Sequence, residues 1–167
     1  HWLNKGVDGF RLDAARYFVE EGPKRQADTK SNLEFINEIV SYAKDIAPNT
    51  YFIGETYTNM ESSKQYIEGE NSFDAIFNFE FSSSLRDLYN AQGLKYYHQS
   101  ENGLDVLKTS IFDLYSRISR NIAASKDSVV FLNSHDTRRF DSTETALVAN
   151  NILASLTILS PFNSMIY

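Results

Sequence analysis

Apolar residues along this chain follow two spacings. Short apolar runs of the kind that form buried strands lie at residues 6–13, 51–55, 73–79, 129–133 and 162–167. Between them are longer stretches in which apolar residues recur at helical spacing. Leu33, Ile36, Val40, Ala43 and Ala47 make one such stripe, widened by Ile39 and Ile46 and ended by Pro48 and Asn49. Ser31 and Glu34 stand at the spacing of a capping box and set the start of that helix. Short helical turns are predicted over 14–18 and 59–67. Longer helices are predicted over 82–91, 104–122 and 143–159, the last carrying Ala149, Leu153, Leu156 and Leu159 and broken by Pro161. Polar loops cover 20–31, with Gly22 and Pro23, and 93–103, with Tyr96, Tyr97 and His98. The order is strand then helix throughout, with the last helix missing. Such alternation predicts an α/β fold, a parallel sheet with helices outside. Strands that read as near-continuous apolar runs are expected to be buried on both faces.

Composition narrows the class. The 167 residues suffice for one ordinary domain, 42% of them hydrophobic. A net charge of −6, with no basic run, argues against a nucleic-acid partner, because phosphate contacts need a basic face. No stretch approaches the roughly 20 apolar residues of a membrane span. The absence of cysteine excludes a disulfide scaffold and a cysteine metal site. Aromatic residues, 12 Phe and 10 Tyr among them, suit a carbohydrate surface as well as a core. The chain opens at His1 without an initiator Met and closes inside the apolar run Met165-Ile166-Tyr167, so both ends read as cut.

The chemistry gathers at the ends of three predicted strands. Gly6-Val7-Asp8-Gly9-Phe10-Arg11-Leu12-Asp13 ends in a charged pair, Phe52-Ile53-Gly54-Glu55 ends in a carboxylate, and the run from Val129 leads to Asn133-Ser134-His135-Asp136. Arg11 and Asp13, two residues apart on a strand, point to one face, with Phe10 and Leu12 on the other. An Arg beside an Asp favours the ionised carboxylate, and the pair reads either as a structural ion pair or as a nucleophile kept anionic. Three carboxylates, Asp13, Glu55 and Asp136, at the C-terminal mouth of a parallel sheet suit either metal binding or glycoside chemistry.

Three ordered motifs give the chain a resemblance. Gly9-Phe10-Arg11-Leu12-Asp13, Ile53-Gly54-Glu55 and Phe131 to Arg139 resemble the fourth-, fifth- and seventh-strand motifs of the α-amylase family of glycoside hydrolases, family thirteen. Phe73 to Phe79 resembles that family's sixth strand and Phe162 to Tyr167 its eighth. The resemblance runs over essentially the whole chain. It implies a partial (β/α)8 TIM barrel with about five of eight strands, residues 1–167 being the C-terminal part of the catalytic barrel without a second domain. It implies a retaining enzyme acting on α-linked glucans such as starch or maltodextrins. Asp13 would be the nucleophile, Glu55 the acid and base, and Asp136 would hold the sugar's hydroxyls and stabilise the transition state. Arg11 would hold Asp13 ionised, His135 would donate to the bound sugar, Arg16 would lie near the leaving-group side, and Tyr57 would stack on sugar. Arg139 matches the family's Arg after the Asp, and serves equally as a salt-bridge partner.

No cofactor is needed for that chemistry. A structural calcium is an expectation for the full-length protein, with the Tyr17 carbonyl the one ligand in this chain and most others outside it. The partner is an oligo- or polysaccharide, with the rest of the barrel supplied by sequence upstream. Because starch lies outside most cells, a secreted setting is favoured. The family usually has Asn directly before the His; here Ser134 stands there, with Asn133 one place earlier. Two readings follow: a glucan hydrolase, with transglycosylation as its variant, or a non-catalytic amylase-like carbohydrate-binding protein. Intact Asp13, Glu55 and Asp136 argue against the second. The isolated 167 residues are expected to be weakly active or inactive, with exposed strand edges at 7–12 and 162–167.

Overall fold

A computed structural model describes residues 1–90, 102–121, 128–140 and 144–167. The strands are β1 (Gly9–Leu12), β2 (Tyr51–Gly54), β3 (Ala75–Phe77), β4 (Ser128–Phe131) and β5 (Asn163–Met165). The α-helices are α1 (Lys30–Ile46), α2 (Met60–Ser63), α3 (Phe79–Asn90), α4 (Gly103–Asn121) and α5 (Glu144–Ile158). The pairings of β1 with β2, β2 with β3 and β4 with β5 are parallel, so the chain is α/β as the alternation requires. The chain divides into two compact units, His1–Phe77 and Asn78–Tyr167. Residues 93–101 of the predicted loop 93–103, with Tyr96, Tyr97 and His98, lie outside the described residues. Among the described residues no helix is long and apolar enough to cross a membrane.

In the first unit, β1 and β2 pair in the register Phe10 to Phe52 and Arg11 to Ile53. Ile36, Val40 and Ala43 of α1 form a buried stripe over a core of Phe52, Met60, Tyr66, Phe73 and Ile76. Ile46, expected in that stripe, is 47% exposed, and Ala47 lies past the helix end, its N–H on the Ala43 carbonyl. The cap also differs from expectation. Thr29, not Ser31, caps α1: its Oγ1 accepts from the Asn32 N–H at 3.0 Å and donates to the Val19 carbonyl at 2.6 Å. Burial decides between the two candidates. Thr29 and Asn32 are buried, and Asn32 also bonds the Val19 N–H and the Ala15 carbonyl. Ser31 turns to Glu21, whose carboxyl its N–H and hydroxyl hold below the ordinary value. β1 is shorter than the predicted run and only partly buried, so it is not covered on both faces. A groove lined by Trp2, Phe10, Phe35, Tyr42 and Ile46 runs beside it.

The return from β1 to α1 is held by an ion pair. Arg16 binds Asp28 through Nε and Nη2, and the two side chains are only 17% and 23% exposed. The Tyr66 hydroxyl donates to Asp28 at 2.6 Å, and Arg16 Nη1 donates to the Tyr57 carbonyl at 2.7 Å. Burial works to raise the Asp28 carboxyl, but the hydrogen bonds from Arg16 and Tyr66 and the Arg16 charge outweigh it and hold the group below its ordinary value. The bond to Asp28 raises Arg16 in turn. Burial, then the bond to Asp28, pushes the Tyr66 phenol well above its ordinary value. Asp74 ties the other side: its carboxylate accepts from Lys44 Nζ at 2.8 Å and from the Phe52 N–H at 2.7 Å, linking the start of β3 to α1 and β2.

In the second unit, Leu85, Leu88 and Tyr89 of α3 pack with Leu114, Val130, Ala149, Leu153 and Phe162. The predicted strand 73–79 is cut short because Asn78 Oδ1 accepts from the Phe81 N–H at 2.9 Å. That bond caps α3, which therefore starts at Phe79 rather than residue 82. The Ser82 hydroxyl donates to the Phe131 carbonyl at 2.6 Å, and the Asn78 N–H meets the Val129 carbonyl at 2.9 Å, so the start of α3 is sewn to β4. α5 ends at Ile158, and Leu159, expected on its buried face, is 76% exposed.

Replacing Asp28 by Ala should cost about 3–5 kcal/mol, because it leaves the largely buried Arg16 charge without its partner. Urea unfolding measures this. The Asp28 carboxyl is lower in the folded chain than in the unfolded one, so its contribution is complete above the unfolded value of about 4 and is lost as pH falls through the lower folded value. Tyr66 has the opposite sign. Its phenol is raised on folding, so its contribution is complete below about 10 and is lost as pH rises beyond that. The stability gap between the parent chain and Tyr66→Phe should therefore narrow above about pH 10.

Candidate active site

Strand alternation places Arg11 and Asp13. On β1, Phe10 packs toward the core, its ring 5.7 Å from that of Phe52. Arg11 and Asp13 take the opposite face, and their side chains form an ion pair. The second guanidinium nitrogen, Nη2, lies 3.1 Å from Glu55 Oε2, so one cation serves both carboxylates. Asp13 is 73% exposed, whereas Glu55 is only 17% exposed.

The backbone after Asp13 does the rest. Ala14 is left-handed, with φ 46°, a conformation that costs a residue with a Cβ about 1–3 kcal/mol. It turns two successive N–H groups toward Glu55. The Ala14 N–H donates to Glu55 Oε2 at 2.9 Å, and the Ala15 N–H donates to the Glu55 carbonyl at 3.0 Å. The Glu55 N–H returns a bond to the Leu12 carbonyl at 2.9 Å. Gly54 is required by packing: a Cβ there would come within 2.2 Å of the Phe73 ring, which stacks 6.1 Å from Tyr66.

Arg16 and Tyr57 lie in the same unit and meet through the Arg16 bond to the Tyr57 carbonyl. The Arg16 guanidinium is taken up by Asp28 and also lies 5.6 Å from the centre of the Tyr17 ring. Tyr57 as a residue is 66% exposed.

His135 and Asp136 lie in the second unit, past the end of β4, and touch each other through Nε2 and Oδ2 at 2.9 Å. Both are more than half exposed. Ser134 shapes their turn. Its N–H donates to Thr137 Oγ1 at 2.7 Å, and its hydroxyl accepts from the Asp136 N–H at 3.3 Å. Asn133, one place earlier, has a buried Oδ1 with no hydrogen-bond partner among the described residues. Arg139 donates to the Tyr167 carbonyl at 2.9 Å and lies 4.6 Å over that ring, and His135 lies 6.0 Å from the same ring. The described residues contain no group of three or more His, Asp or Glu arranged to hold a metal. Asp28, whose N–H bonds the Arg16 carbonyl, has its carboxylate neutralised by Arg16. On their own these residues do not fit a calcium site.

A family model described as the catalytic domain of alpha amylase matches residues 1–167. The chain belongs to the alpha-amylase family. It is similar to Alpha-amylase 3 of Dictyoglomus thermophilum, 36% identical over 84 residues, which are 50% of this chain and 15% of that protein. It is 26% identical over 140 residues to an alpha-amylase of Niallia circulans, covering 83% of this chain and 22% of the relative. It is 26% identical over 139 residues to a cyclomaltodextrin glucanotransferase of Thermoanaerobacterium thermosulfurigenes, covering 83% and 16%. This amylase-family chain thus spans less than a quarter of the curated relatives it matches. Among solved structures it resembles the alpha-amylase of H. orenii, with a TM-score of 0.62 at 22% identity over 99% of this chain and 31% of the other. It also resembles a cyclic alpha-maltosyl-(1→6)-maltose hydrolase of Arthrobacter globiformis, with a TM-score of 0.56 at 19% identity over 99% and 32%. The likeness shows the fold, part of an amylase barrel.

The sequence pattern pointed to Arg11, Asp13 and Glu55, which the structure brings together, but not to Ala14 and Ala15, whose backbone N–H groups meet Glu55 and carry no side-chain signal. It also missed Asp28 and Tyr66, which one polar residue in a loop and one Tyr in a short helical segment do not announce. Gly54→Ala should displace Phe73 or push β2 and Glu55 aside. It should lower stability by about 1–3 kcal/mol, measured by thermal unfolding.

Proposed function

We propose that this chain carries the reacting carboxylates of a retaining glycoside hydrolase that acts on α-linked glucans such as starch and maltodextrins. The observation that supports this best is the sharing of Arg11 between Asp13 and Glu55, two carboxylates at adjacent strand ends. Retaining enzymes need one ionised nucleophile and one acid about 5–5.5 Å apart. Asp13, exposed and paired with Arg11, is the nucleophile. Its carboxylate forms the bond to C1 of the sugar as Glu55 gives its proton to the leaving oxygen. Glu55 then takes a proton from the water that breaks the glycosyl ester. His135 and Asp136 hold sugar hydroxyls, and Tyr57 offers its ring to a sugar face. Two carboxylates and a water suffice, so the chemistry needs no cofactor.

The alternative within the same chemistry is transfer of the glycosyl group to a sugar acceptor. It is favoured by one observation: the glucanotransferase relative matches this chain at the same 26% identity as the Niallia amylase. Product analysis of a maltooligosaccharide digest separates the two, since transfer yields chains longer than the substrate. As a piece shorter than its relatives, the 167-residue chain should by itself be weakly active or inactive on starch.

The deciding test is to treat the full-length protein with a mechanism-based α-glucoside inactivator and map the labelled peptide by mass spectrometry. The expected result is a glycosyl group on Asp13. Label on another carboxylate, or sugar binding without any label, would overturn the reading. Glu55→Gln should lower kcat on maltooligosaccharides by roughly 10²–10⁴-fold, the usual weight of a general acid.

A further inference from the structure

Glu55 is held by main chain as well as by Arg11. Its Oε2 takes two donors, the Ala14 N–H at 2.9 Å and Arg11 Nη2 at 3.1 Å. Nothing among the described residues hydrogen-bonds Oε1. The Glu55 main chain is fixed on both sides, through the Ala15 N–H to its carbonyl and its own N–H to the Leu12 carbonyl. Ala14 is one of two non-glycine residues with positive φ among those described, and the other, Asp28, anchors the same excursion through Arg16. An alanine held left-handed directly after the proposed nucleophile, with its amide on the proposed acid, is strain kept at one place for a reason.

We propose that Ala14 is a positioning residue: its left-handed backbone aims an N–H at Glu55 Oε2 and so assigns the acid's proton to Oε1. A carboxylic acid has one oxygen to protonate and one to accept. An oxygen already accepting from an amide and from a guanidinium is the worse place for a proton, because each donor would face a hydroxyl instead of an electron-rich oxygen. The proton therefore sits on Oε1. In the first step it passes from Oε1 to the glycosidic oxygen as the C1–O bond breaks and the Asp13–C1 bond forms. In the second step Oε1 takes a proton from water as that water's oxygen bonds C1 and the Asp13 ester opens. Oε2 keeps its two donors throughout. The proposal rests on the reading of Glu55 as the acid, and deepens it.

The test removes the one N–H. In the full-length protein, Ala14 is replaced by L-lactic acid through nonsense suppression, which turns that amide into an ester and keeps the methyl group. Each preparation is assayed with a maltooligosaccharide, whose leaving sugar needs a proton, and with α-maltosyl fluoride, whose leaving group needs far less help. Because both rates come from one preparation, a smaller folded fraction cancels in their ratio. The ester should lower kcat/KM for the maltooligosaccharide about tenfold or more beyond any loss with the fluoride, a fraction of the full worth of an acid. Ala14→Val, which keeps the N–H but disfavours the left-handed backbone, should shift the ratio in the same direction if the ester protein is not obtained folded. Equal losses on both substrates, or no loss, would overturn the proposal. Glu55→Ala is the control for the underlying reading. If it too lowers both substrates equally, the assignment of Glu55 as the acid is wrong; if it spares the fluoride while the Ala14 variants do not, only the role of Ala14 falls.

Discussion

The Arg16–Asp28 ion pair decides where the chain goes after β1. Two charges with side chains about a fifth exposed are costly to take out of water, and such a pair holds only when its remaining donors and acceptors are met. Here they are met by the Tyr66 hydroxyl and the Tyr57 carbonyl, each on the segment that follows β2. The pair therefore fastens the excursion over residues 13–29 to the far side of Glu55. It thereby adds to the bonds from the Ala14 and Ala15 N–H groups to Glu55 that hold the left-handed turn, a conformation that a residue with a Cβ leaves readily. The energy stored at Ala14 and the energy of the ion pair belong to one device.

How much of this is legible in the sequence depends on which atoms act. Arg11 and Asp13 are legible because a strand's period of two is strict and both side chains are charged. Glu55 is legible because a carboxylate ending an apolar run has no packing reason to be there. The bond from Arg11 to Glu55 depends on the register of β1 with β2, Arg11 opposite Ile53, which no local pattern states. The amides of Ala14 and Ala15 are silent, because an alanine advertises helix and gives no sign of a left-handed turn.

The cap of α1 shows the same limit in another form. Thr29-Lys30-Ser31-Asn32 and Ser31-Asn32-Leu33-Glu34 both carry a hydroxyl at a capping distance. Local rules rank the second higher for its Glu. Tertiary burial reverses the ranking, because the buried Asn32 must satisfy its amide on Val19 and Ala15, and it can do so only inside the first turn. In the second unit Asn78, the last residue but one of the run 73–79, caps α3 and so ends the strand of that run at Phe77. Apolar content alone could not distinguish Phe77 in a strand from Phe79 in a helix.

Asp13 and Glu55 share one cation, yet their surroundings differ, and the difference suits the roles proposed for them. Asp13 follows the end of a strand, 73% exposed, with Arg11 as its ion-pair partner. A nucleophile must change its geometry as its oxygen bonds C1 and later releases it, and an exposed carboxylate on one ionic tether can make that movement. Glu55 is 17% exposed, with two donors on Oε2, the Ala15 N–H on its carbonyl and its own N–H on the Leu12 carbonyl. An acid has to deliver one proton along one line, and rotation of its carboxyl would exchange the protonated oxygen for the bonded one. The backbone bonds oppose that rotation at no cost in side-chain entropy, since the Ala14 amide has no rotamer to lose. A cation alone would not choose between the oxygens, because a guanidinium follows whichever is nearer. The amide, fixed in direction by the turn, supplies the choice.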